Sequence, residues 1–270
     1  MSNTRLCQCG SGLPPKDCCA TNYSDVSATN NHKQIAYVGE AGRQREEFCR
    51  EYTVYKQTAI AAIASNLRQK AEDAGKTISC HQGCTDCCYV YVVASLQECE
   101  AIVFYLYQNT DVLEHFLDAF PYWRAGVEHI RDDFFAISNI QQKRMSHADT
   151  PKDNKVFENA LKKYAKQHLP CPFLKDDTCN IYEVRPYACA GLVSTTPAEW
   201  CGTNHQNHNK IKLWKAEVNL DSDPPYFANP ESLVTLTNMP ALVFEILSYG
   251  WDFLRRVPGC EHLTDPPSTT

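Results

Sequence analysis

The cysteines constrain this chain more than any other feature. Of its 15 cysteines, Cys49, Cys99, Cys201 and Cys260 are scattered, and the rest fall into two groups, Cys7 to Cys19 and Cys80 to Cys189. Each group contains a vicinal pair, Cys18-Cys19 and Cys87-Cys88. Two chemistries compete for such a pattern: a disulfide framework in an oxidising compartment, or thiolates kept reduced on metal. Neighbouring cysteines can both turn their thiolates toward one ion but rarely bridge to each other without strain, so the vicinal pairs favour metal. The opening MSNTRLCQC has no apolar run of the kind a secretory signal needs, which points to a reduced, cytoplasmic setting.

A chain of 270 residues can bury a sizeable core and carry a small appendage. Hydrophobic residues make up 43% and charged residues 21%, an ordinary globular balance that reads against a mostly disordered chain. The formal net charge of −6, with no basic run beyond short pairs, disfavours binding to nucleic-acid phosphates. The most apolar stretch, AIVFYLY at 101–107, falls far short of the ~20 residues of a membrane span.

Patterning predicts a mostly α-helical domain over 34–258 whose cysteines lie on loops, preceded by a small module over 1–20 and a polar linker over 21–33. The segment 259–270 reads as a loose tail. Phe48, Tyr52, Tyr55, Ala59 and Ala62 step by four and three and predict a long helix over 42–74, stopped at Gly75. Ser95-Leu96-Gln97-Glu98 has capping-box spacing for a helix reaching about Tyr107. Asp111 with Glu114 predicts a short helix ending before Pro121, followed by another over 122–144 on the stripe Trp123, Val127, Ile130, Phe134 and Ile137. Residues 153–168 read as helical, and 211–220 as strand or helix. Asn229-Pro230 has the form of a helix start, with Pro240 expected to interrupt that helix.

The first group reads CQCGSGLPPKDCC, with candidate metal ligands Cys7, Cys9, Cys18 and Cys19. Gly10 and Gly12 allow the sharp turn between two ligand pairs. With almost no apolar residues, such a fragment would draw its folding energy from the ion. These 13 residues resemble the SEC-C zinc motif, with Cys19 at a position that can be Cys or His. The resemblance implies one Zn2+ in this module and a protein partner docked through it; the plainer alternative is a structural zinc knob.

The second group has two halves, CHQGCTDCC and CPFLKDDTCNIYEVRPYAC, with candidate ligands Cys80, Cys84, Cys87, Cys88, Cys171, Cys179 and Cys189. The residues Cys80-x3-Cys84-x2-Cys87-Cys88, then Cys171-Pro172-Phe173-Leu174, then Cys179-x-Ile181-Tyr182-Glu183-x-Arg185-Pro186-x-x-Cys189 resemble the YkgJ-type cysteine-cluster family. That family is described as zinc- or iron-chelating, and the resemblance spans about 110 residues. The family often has a basic residue after the last cysteine, where this chain has Ala190. Seven thiolates are more than one tetrahedral zinc uses. Some could be packing residues, the site could hold two metals, or it could hold an iron–sulfur cluster.

Arg185 could offset the charge of a multi-thiolate site or grip an anion, and the plainer reading is an ion pair or carbonyl contact that holds the loop. Tyr182 reads as packing. Cys201, in WCGTNHQNH with His205 and His208, belongs to a grouping that could donate to metal, and the reading preferred for it is a polar loop with one free thiol; Cys49 and Cys99 read as small buried thiols in helices. The function expected is therefore that of a zinc- or iron-binding cysteine-cluster protein with a second, N-terminal zinc site. One alternative is an iron–sulfur-dependent enzyme, since flagellin lysine N-methylases, which transfer methyl groups to protein, resemble the same family. Another is an adaptor docking through the N-terminal module.

Overall fold

A computed structural model describes residues 33–145, 147–218, 220–228, 236–257 and 259–263. The N-terminal module with Cys7, Cys9, Cys18 and Cys19, the linker to residue 32, Asn229-Pro230 and residues 264–270 lie outside the described residues.

The fold is mostly α. A short helical stretch at 33–36 leads into α1 (Gly39–Asp73), followed by α2 (Leu96–Gln108), α3 (Thr110–Glu128), α4 (Arg131–Met145) and α5 (Pro151–Lys166). Among the described residues, strand structure is limited to two-stranded antiparallel pairs: β1 (Val93–Ser95) with β6 (Leu236–Asn238), β2 (Leu174–Lys175) with β3 (Thr178–Cys179), and β4 (Leu192–Ser194) with β5 (Leu213–Lys215). The four-residue α6 (Tyr187–Ala190) lies between β3 and β4, while α7 (Met239–Tyr249) and α8 (Trp251–Leu254) follow β6.

At the centre lies α2, buried on nearly every side from Leu96 to Tyr107, with Gln97, Glu98 and Glu100 buried among its apolar residues. Its capping box forms as the spacing predicts. The Ser95 hydroxyl accepts the Glu98 N–H at 3.2 Å and the Glu98 carboxylate accepts the Ser95 N–H at 2.9 Å. Since Ser95 also closes the β1–β6 ladder opposite Leu236, the cap fixes the start of α2 against the strand that leads into α7.

Two expectations about proline are corrected. The chain does not break at Pro121; α3 runs through it to Glu128, and the break falls at 129–130. Leu113, Phe116, Leu117, Phe120, Trp123 and Val127 form one continuous buried face across the proline, so packing outweighs the single backbone hydrogen bond that proline cannot donate. Nor does Pro240 interrupt a helix. It sits in the first turn of α7, where its missing N–H costs nothing, and the Asn238 side chain caps that turn by accepting from the Ala241 N–H at 3.1 Å. The ambiguous stretch 211–220 contains β5. Cys260 and Leu263, in the segment expected to be loose, are buried in the core.

On α1, Phe48 and Tyr52 face the core as expected, but Ala62 is exposed and the buried face also carries Arg45 and Lys56. Both cations are 1% exposed. Arg45 forms a bidentate pair with Glu100 of α2, Nε to Oε2 and Nη2 to Oε1 at 2.9 Å each. Its guanidinium also lies over the Trp251 ring at 5.2 Å. Lys56 reaches Glu98 at 3.5 Å and donates to the Val184 carbonyl at 3.0 Å.

Candidate metal centre

The first cysteine segment leaves α1 and turns twice. Gly83, at φ +89°, permits the first turn, in which the Cys84 N–H bonds the His81 carbonyl at 3.1 Å; in the second, the Cys88 N–H bonds the Thr85 carbonyl at 2.8 Å. Its start is pinned to β4, with the Ser79 N–H donating to the Ser194 carbonyl at 2.9 Å and the Ser194 N–H donating to the Cys80 sulfur at 3.1 Å.

The second segment joins the first through its backbone, the Cys171 N–H meeting the Cys88 carbonyl at 2.8 Å. Phe173, 1% exposed, anchors it by stacking on Phe116 of α3 at 4.5 Å. The β2–β3 hairpin turns on Asp176 and Asp177, both at positive φ as a two-residue hairpin loop requires, and sets Cys179 opposite Leu174. Past the 3-10 turn Tyr182–Val184, Pro186 opens α6, which carries Cys189. The Tyr187 N–H at its start donates to Glu98 at 2.7 Å, so the buried carboxylate that caps α2 also holds the Cys189 turn.

All seven candidate thiols of this group gather in one region. Burial pushes the thiols of Cys80, Cys84, Cys171, Cys179 and Cys189 up, that of Cys84 to about 11 and that of Cys171 to about 12, and neighbouring thiols add to the push. The vicinal pair behaves differently. A hydrogen bond between the two sulfurs holds Cys87 down and Cys88 up, so Cys88 keeps its proton while Cys87 is the readier thiolate. Cys87 is exposed and the other six are half-buried.

Arg185 faces this region. Its charge opposes the upward push of burial on Cys80, Cys179 and Cys189. The expected ion pair is not found among the described residues: the guanidinium lies over the Tyr182 ring at 3.8 Å, and its Nε is buried without a hydrogen-bond partner. Tyr182 packs as expected. Two findings bear on whether a metal fits. Soft thiolates suit zinc and iron, and an unpaired buried cationic donor suits a neighbour that becomes anionic. Against them, no group of three or more His, Cys, Asp and Glu among the described residues is already disposed to hold an ion. Protonated thiols do not attract one another, so closing the set would fall to the ion itself.

The loop that carries the half-buried Cys201 lies against the first cysteine segment, where a Cβ on Gly202 would stand 3.5 Å from the Asp86 carboxylate. The buried charges of α1 and α2 that hold Val184 and Tyr187 follow from no local motif. A cavity of about 800 Å³ opens beside the thiols, with Cys87 and Cys189 in its wall among Tyr91, Val93, Tyr187 and Leu192. His205 and His208 bond within their own loop, to the Asn207 N–H and the Trp200 carbonyl. No family model, no curated protein and no solved structure matches the chain. No helix among the described residues is long and apolar enough to cross a membrane.

Proposed function

We propose that this is a metal-binding protein whose main centre takes zinc or iron on the thiols of Cys80, Cys84, Cys87, Cys88, Cys171, Cys179 and Cys189. The observation that carries it is the gathering of two cysteine segments, more than 80 residues apart, around the unpaired Arg185 Nε. Four thiolates on one divalent ion retain negative charge, and Arg185 supplies a neighbouring cation at low desolvation cost. Cys7, Cys9, Cys18 and Cys19 form the second, N-terminal zinc site in this reading, and that module is the surface through which a protein partner would dock. The test is to purify the full chain without oxygen and count metal by elemental analysis. Metal in excess of the single ion of the N-terminal module is expected; a folded protein with no metal overturns the reading.

The cavity favours a second reading, an iron–sulfur-dependent enzyme whose substrate lies against Cys87 and Cys189. Its volume falls within the ~300–1,000 Å³ of small-molecule sites. Protein methyl transfer is the activity that the family resemblance suggests for it. Anaerobic absorption separates the two readings: a brown protein with broad visible bands supports the cluster, and a colourless protein loaded only with zinc removes it.

A further inference from the structure

The cavity beside the thiols is walled by side chains that the fold leaves without full cover. Val90, Val93, Leu161, Leu192, Val218 and Leu236 all line it, and each is only half-buried. Its room comes from the small residues Ala188, Gly191 and Ala216, at positions where larger side chains would fill it. Strand pairing holds the walls apart. The β1–β6 ladder carries Val93 and Leu236, and the β4–β5 ladder carries Leu192 and is extended by the Ala216 N–H on the Gly191 carbonyl at 2.7 Å. On the remaining side the Tyr187 N–H ties α6 to Glu98.

The buried polar side chains of the wall are already engaged. The Tyr91 hydroxyl shares a hydrogen bond with Ser138 Oγ at 2.8 Å, and the Tyr187 hydroxyl donates to Asp223 at 3.4 Å. Both Glu98 oxygens are taken, one by the Ser95 N–H at 2.9 Å and the other by the Tyr187 N–H at 2.7 Å, with Lys56 at 3.5 Å. Lys215 and Glu217 are exposed and stand at the mouth. A ligand with donors and acceptors along its length would leave them unpaired inside, at the full desolvation cost of each. An apolar one meets no such cost and covers aliphatic surface that otherwise faces water.

Resting on the second reading above only for the cavity as a binding site, we propose that its occupant is a small molecule with an alkyl chain or hydrocarbon ring. The apolar part lies along Val93, Leu192, Val218 and Leu236. Any polar end sits at the mouth beside Lys215 and Glu217, or against Cys87 and Cys189. Burial of the apolar part needs no metal, so the cavity and the metal centre are tested apart.

The test follows the fluorescence of N-phenylnaphthylamine, a neutral apolar probe, with the full chain as purified and after chelator treatment. Saturable enhancement is expected in both samples, displaced by octanol and left in place by glutamine, which is of similar size but polar at both ends. Ala216→Trp should abolish it, and Val54→Trp, at an exposed aliphatic position of α1, should keep it. Because Ala216→Trp can fail to fold, an alkyl diazirine is also photolysed with the unaltered protein and the labelled peptides are read by mass. Labels on the peptides that carry Val90, Leu192 and Val218 support the site. Enhancement that does not saturate, displacement by glutamine as complete as by octanol, full binding in a folded Ala216→Trp protein, or labels confined to other peptides each overturn it. Metal present without saturable probe binding overturns this proposal and leaves the metal centre intact. Saturable binding in a folded protein purified without metal supports the proposal and defeats the metal reading.

Discussion

The Glu98 carboxylate accepts the Tyr187 N–H at 2.7 Å while its other oxygen accepts the Ser95 N–H at 2.9 Å. A residue recognisable locally as part of a helix cap is thus also the tie between α2 and the turn that carries Cys189. Lys56 completes the arrangement from α1, 3.5 Å from Glu98 and bonded to the Val184 carbonyl at 3.0 Å. The segment that carries Cys189 is held from behind by a buried carboxylate and a buried ammonium.

Glu98→Ala leaves Lys56 charged and buried and frees the Tyr187 N–H. Removing one partner of a buried pair typically costs about 3–5 kcal/mol, and a loss of that size in urea unfolding is expected here. A change below about 1 kcal/mol would show that the pair does not hold the domain together.

Arg45 and Glu100 offer a cleaner cycle, since both are almost fully buried and their contact is bidentate. Arg45→Met and Glu100→Gln should each destabilise by about 3–5 kcal/mol, and the double variant by much less than the sum. Additive losses would refute the coupling.

Thr150 and Asp153 cap α5 reciprocally, the Asp153 N–H donating to the Thr150 hydroxyl at 3.2 Å and the Thr150 N–H to the Asp153 carboxylate at 2.9 Å. Thr150→Ala should cost about 1 kcal/mol. Hydrogen bonds from Lys143 and then from Thr150 hold the Asp153 carboxyl down at about 2, below its ordinary 3.8. Because the folded value lies below the unfolded one, this contribution is complete above pH 3.8 and fades as pH falls toward 2. Carboxyl NMR titration of the folded protein should place the Asp153 midpoint near 2, and Asp153→Asn should flatten the stability profile within that window.

Gly42 lies where α1 passes the turn after residues 33–36. A Cβ there would come within 2.5 Å of the Tyr37 carbonyl carbon, and backbone cannot swing aside as a side-chain end can. Gly42→Ala should therefore lose about 1–3 kcal/mol through overpacking, although alanine is the better helix former. Thermal or urea unfolding that shows a gain in stability would contradict the packing.

How much the sequence revealed depends on the range of the interaction. The helix over α1, the Ser95–Glu98 box and the grouping of the cysteines were legible, because each depends on residues a turn or two apart. Proline was misread twice. Whether Pro121 ends α3 depends on the buried face on either side of it, and whether Pro240 breaks or begins α7 depends on where β6 ends, which pairing with β1 decides.

By itself, the sequence determined a helical chain with two groups of soft donors and no long apolar span. Only the tertiary structure decided that Arg45 and Lys56 face inward, since burying a cation is tolerable only beside its partners, here 55 and 128 residues away in Glu100 and Val184. It likewise decided that Ser194, 114 residues from Cys80, donates to that thiol, because a strand pair rather than any motif spacing sets Ser194 in place.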